Sequence, residues 1–112
     1  MAEAASTYFA ADDHVLDREA PREVLFLGRW LSEQGNARAA LSAFRRVLSS
    51  HPSGAIAADA HLGAGLVQLR NLQRPTSAYQ HFLDVIDLEP TSEAADIARE
   101  GLRFIDESSA RR

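Results

Sequence analysis

Apolar residues in this chain recur three and four positions apart, the spacing of a helix face, and prolines and glycines interrupt them at intervals. Val24, Leu27 and Leu31, with Trp30 beside them, form the first such stripe, and Pro21 suits a first helical turn. Gln34-Gly35-Asn36 breaks it. Gly35 fits a left-handed C-cap and Asn36 an N-cap, so a second helix is predicted over 37–50. Ser53 can cap a longer helix over about 55–72, whose apolar positions are Ile56, Leu62, Leu66 and Leu69. Arg74-Pro75 opens a fourth helix that ends near Leu88. Thr91 is a cap for a fifth, with Glu93 and Asp96 favourably placed in its first turn. That last helix sets Ala94, Ile97, Ala98, Gly101, Leu102 and Ile105 on one face. Asp96, Arg99, Glu100, Arg103 and Glu107 occupy the other.

The second and fourth helices carry the same pattern. Aligned on Pro52 and Pro90, the chain reads A-x-x-x-F-x-x-V-[LI]-x-x-x-P twice. Ala40, Phe44, Val47 and Leu48 stand in the first copy and Ala78, Phe82, Val85 and Ile86 in the second.

The stretch 21–52 resembles a tetratricopeptide repeat. Leu27-Gly28 stands at the family's Leu-Gly pair, Leu31 at its tyrosine, Ala40 at its small alanine, Phe44 at its aromatic and Pro52 at its closing proline. A second unit over 55–90 matches at Leu62, Leu69, Ala78, Phe82 and Pro90. It departs at Gly65-Leu66, where the pair is reversed, and at Gln73, which occupies the place of Gly35. Four extra residues near the start of this unit amount to about one helical turn, so the helix lengthens without losing its face. The resemblance implies an all-α, right-handed stack of antiparallel helix pairs: a helical solenoid of about five helices, with a capping helix over 91–108 and a frayed tail over 109–112. It also implies a protein–protein interaction module, a scaffold or adaptor, that binds a peptide segment or a helix on a concave face lined by the first helix of each repeat. In that frame the face carries Leu25, Phe26, Arg29 and Glu33, then Gly63, Val67, Arg70 and Asn71. Leu25, Phe26 and Val67 would anchor the partner, and Arg29 and Arg70 would orient its acidic groups. The lysine, asparagine and arginine clamp that some members close on a C-terminal carboxylate is absent.

Composition narrows the function. Among 112 residues, 46% are hydrophobic and 25% charged, with a formal net charge of −4, an ordinary balance for one domain. The acidic balance argues against a nucleic-acid partner, which requires a concentrated basic face. No cysteine is present for disulfide or thiolate chemistry. No apolar run approaches the roughly 20 residues that span a bilayer, and no basic signal-peptide region opens the chain, so a cytoplasmic location and no membrane insertion are expected.

The four histidines, His14, His51, His61 and His81, are scattered, and none makes an i, i+4 pair of the kind that chelates zinc. Asp12-Asp13-His14-x-x-Asp17 is the densest ligand-like cluster and reads as a solvated acidic segment. No nucleophile elbow or phosphate loop appears, so neither an enzyme nor a cofactor or metal site is expected. Gly63 and Gly65 lie inside a helical pattern at a propensity cost of about 1 kcal/mol each, which close approach of another helix or of a bound chain would offset; packing against the helices of the first repeat is the plainer reading. Residues 1–20 read as an extension, partly disordered or forming one short helix, with Trp30 a contact for Tyr8 or Phe9. Two repeats are fewer than the three or so that bury a continuous core. Either the extension completes the stack, or a second copy does so as a homodimer, or the chain belongs to a longer protein. The alternative to partner binding is therefore an oligomerisation or spacer domain of a larger protein, a membrane-associated one included.

Overall fold

The structure is a computed structural model and describes residues 21–110. Five helices follow one another: α1 Pro21–Glu33, α2 Ala37–Ser50, α3 Gly54–Arg70, α4 Pro75–Leu88 and α5 Glu93–Ala110. The described residues contain no strand. Each helix packs against its neighbours in sequence, and α3 also touches α1 and α5. The middle helix thus meets all four others.

Local chemistry sets the boundaries. Gly35 ends α1 at φ 80°, a left-handed conformation that costs glycine nothing. The Asn36 side chain then accepts a hydrogen bond from the Ala39 amide, 3.4 Å away, and starts α2. Ser53 precedes α3 in extended backbone, as an N-cap residue does, without a side-chain cap bond. Pro75 opens α4, where a missing N–H is no loss. The predicted cap of the last helix is displaced by one residue. Ser92, not Thr91, accepts from the Ala95 amide at 3.0 Å while its hydroxyl donates to the Glu89 carbonyl at 2.7 Å. That helix continues to Ala110, beyond its expected end at 108.

The core lies in two clusters on either side of α3. The first holds Val24, Leu25 and Leu31 from α1, Ala40, Leu41, Ala43, Phe44 and Val47 from α2, and Ala60, Ala64 and Val67 from α3. The second holds Ala58 and Leu62 from α3, Ala78, Phe82 and Val85 from α4, and Ala95, Ala98 and Ile105 from α5. A large ring lies at the centre of each. A Cβ added at Gly28 would stand 2.8 Å from the Phe44 ring, and one added at Gly63 would stand 2.5 Å from it. Phe44 is therefore held between α1 and α3. In the same way a Cβ at Gly65 would come within 2.7 Å of Phe82, and one at Gly101 within 2.5 Å, so Phe82 is held between α3 and α5. Both rings are fully buried, each contributing roughly 1.5–3 kcal/mol of transfer free energy. Gly63 packs against a ring of the first unit, Phe44, as expected, whereas Gly65 meets Phe82 of the second unit instead.

Candidate functional site

The contacts of α3 with α1 and α5 leave a furrow along one side of the helix bundle. Two depressions make it up. One, about 240 Å³, is lined by Arg29, Ser32 and Glu33 of α1 together with Asp59, Leu62, Gly63, Leu66 and Arg70 of α3. The other, about 500 Å³, is lined by Leu66, Leu69, Arg70 and Gln73 together with Ile97, Glu100, Gly101 and Phe104 of α5. Leu66 and Arg70 belong to both, so the two depressions meet over α3. Glycines lie along it because Phe44 and Phe82 pack where their side chains would be. The larger depression has an apolar wall, since Phe104 is 58% exposed and Ile97 is also exposed. Charges of both signs edge the furrow: Arg29, Glu33 and Asp59 at the smaller depression, Glu100 at the larger, and Arg70 at both.

Four of the residues expected on a binding face line this furrow: Arg29, Glu33, Gly63 and Arg70. Two expected anchors do not. Leu25 is 4% exposed and Val67 2% exposed, both inside the first core cluster. Each lies one position off the stripe assumed for its helix, and one position is about 100° of rotation, enough to turn a surface residue inward. Phe26 is 66% exposed but lines neither depression. Asn71 is the exposed C-cap residue of α3 and lines neither depression. The expected binding face includes no residue of α5, because that helix reads as a terminal cap whose apolar face packs on the repeat before it. One signal could have found the α5 contribution: Gly101 follows Gly63 at the same interval that separates Phe82 from Phe44.

A second grouping lies between α3 and α4. Sequence spacing separated the four histidines, yet two of them meet. His61 Nδ1 stands 2.9 Å from His81 Nδ1, with the rings tilted 43° apart. Asp84 lies about one turn beyond His81, and its Oδ2 is 3.8 Å from His61 Nδ1. Gln80 donates to the other carboxylate oxygen, Oδ1, at 3.2 Å. Burial pushes the pKa of His61 below the ordinary imidazole value, and Asp84 opposes this in part. His81 is lowered first by burial and then by His61, with Asp84 raising it and Arg45 of α2 lowering it further. Both rings are therefore neutral near pH 7, and the approach of Asp84 to His61 is not an ion pair there. Two nitrogens this close share a single proton: one Nδ1 donates it and the other accepts it. The reading of the histidines as scattered is corrected here: helix packing, not chain spacing, assembles the pair. The extension predicted over 1–20, its Asp12-Asp13-His14-Asp17 cluster, and the contact of Trp30 with Tyr8 or Phe9 fall outside the described residues.

No helix among the described residues is long and apolar enough to cross a membrane. No family model matches the chain, and comparisons with curated proteins and with solved structures give no match either.

Proposed function

We propose that this chain is a protein–protein interaction module that holds a segment of its partner in the furrow across α1, α3 and α5. The observation that carries the proposal is the continuity of the furrow: two depressions share Leu66 and Arg70, and one is walled by exposed Phe104 and Ile97. An apolar concavity edged by a few charges suits a short helix or extended segment with an apolar anchor. Phe104 supplies the aromatic surface that commonly dominates such contacts. Arg29 and Arg70 give the furrow two cations toward acidic groups of the bound segment, while Glu33 and Glu100 discriminate against partners of the wrong charge pattern.

A repeat reading of the chain supports this assignment. Ala40, Phe44 and Val47 of α2 and Ala78, Phe82 and Val85 of α4 fill matching buried positions at the interval that separates Pro52 from Pro90. Gly63 and Gly101 meet the two rings at that same interval. We read these correspondences as a right-handed, tetratricopeptide-like stack in which α1, α3 and α5 line the concave side.

The test is selection of short random peptides on the full chain, followed by mapping of amide shifts. Enriched sequences are expected to share an apolar anchor and to perturb Leu66, Gly101 and Phe104. Phe104→Asp is expected to weaken them at least tenfold and Phe26→Asp to leave them unchanged. Perturbations confined to other surfaces would sink the proposal. Sedimentation of the free chain tests the oligomerisation alternative: a micromolar dimer that Phe104→Asp dissociates would assign the furrow to a second copy instead.

A further inference from the structure

We propose that His61, His81 and Asp84 form a site for a divalent transition-metal ion of the zinc type, which clips α3 to α4. The three residues each bring a ligand atom within 4.8 Å of the others. Imidazole nitrogen and carboxylate oxygen are both zinc ligands, with bond lengths of roughly 2.0–2.2 Å. Two such ligands in tetrahedral geometry lie about 3.3 Å apart. The two Nδ1 atoms, at 2.9 Å, need to open by a few tenths of an ångström, and the Asp84 carboxylate, at 3.8 Å from His61, needs to close by about as much. The three ligand atoms lie within 4.8 Å of one another, so the partly buried side chains must rotate to draw Asp84 toward both imidazoles.

The two Nδ1 atoms already point at each other, so the space between them is where a shared proton resides. A metal ion there takes both Nδ1 lone pairs once the single shared proton shifts to the Nε2 of the ring that carries it; the other ring already holds its proton on Nε2. Neutral imidazoles present those lone pairs without prior loss of a proton. Gln80 holds Asp84 Oδ1 and so leaves Oδ2, the oxygen nearer His61, free to ligate. Arg45 of α2 is the cation that acts on His81, and it opposes a bound metal; the Asp84 carboxylate offsets it. Three protein ligands leave a fourth position to water. None of the three lines the furrow, so the site is independent of the partner-binding reading.

Titration of Zn2+ into the full chain at pH 7.5, followed by calorimetry, tests the assignment. One ion per chain is expected to bind. His61→Ala and His81→Ala are each expected to lower the affinity at least tenfold, and Asp84→Asn to lower it less. His51→Ala, at the end of α2, is expected to change nothing. Imidazole nitrogen shifts of His61 and His81 provide a second reading: ligation moves the Nδ1 resonances of both. That readout uses the unsubstituted chain, so it decides the matter even if a histidine variant fails to fold. Absence of saturable binding, affinity unchanged in both histidine variants, or Zn2+ binding that leaves the two Nδ1 resonances in place would overturn the proposal.

Discussion

Gln73 follows α3 at φ 53°, in the left-handed region that Gly35 occupies at the end of α1, its counterpart in the preceding unit. For a residue with a Cβ this conformation costs roughly 1–2 kcal/mol, part of which glycine would return as entropy of the unfolded chain. Gln73→Gly is expected to stabilise the chain by about 1 kcal/mol, read from the midpoint of urea unfolding. The glycines at the rings behave in the opposite sense. Gly101→Ala gains about 1 kcal/mol of helix propensity but drives a methyl to 2.5 Å from Phe82, and overpacking typically costs about 1–3 kcal/mol. The ring cannot retreat, because Gly65 stands at contact distance on its other flank. A net loss of about 1–2 kcal/mol is expected. It should disappear in a Phe82→Leu background, where a double-mutant cycle isolates the contact.

At the scale of elements, α3 explains most of what the sequence concealed. Its stripe of Leu62, Leu66 and Leu69 is legible as one apolar face. The opposite face, Ala60, Ala64 and Val67, is more completely buried, and its two alanines raise little hydrophobic signal. Small side chains matter there because they let α1 and α2 approach, and only the packing reveals that. The starts of α2 and α4 were readable to the residue, since Asn36 and Pro75 have strong positional chemistry. The face of α5 was readable except at its edges: Ala98, Gly101 and Ile105 are buried and Ala94 and Leu102 pack on the second cluster, but Ala95 is buried as well and Ile97 turns outward. Alanine-rich helices leave the rotation about their axis poorly marked.

The pairing of α3 with α4 through His61 and His81 also makes stability depend on pH. Both folded-state pKa values lie below the unfolded value of about 6.5, so between the folded and unfolded values the unfolded chain binds more protons. The contribution is fully present above about pH 6.5 and is lost as pH falls through the folded values. In metal-free buffer with chelator, the melting temperature is expected to fall on acidification from pH 7 to 5. His81→Gln should flatten that dependence.

For the molecule as a whole, the aromatic wall of the furrow is separable from the core. Phe104 is mostly exposed, so Phe104→Asp is expected to change stability by no more than about 0.5 kcal/mol while removing partner binding. A thermal melt alongside the peptide assay checks both halves. The glycine-flanked rings carry a different consequence. A phenyl side chain gripped on both flanks cannot rotate by a half-turn unless the two helices beside it separate. The flip of Phe44 therefore times the parting of α1 from α3, and the flip of Phe82 the parting of α3 from α5. Ring-flip rates from NMR line shapes would thus act as two internal clocks, one at each end of the furrow, reporting how often the protein breathes open where a guest would enter.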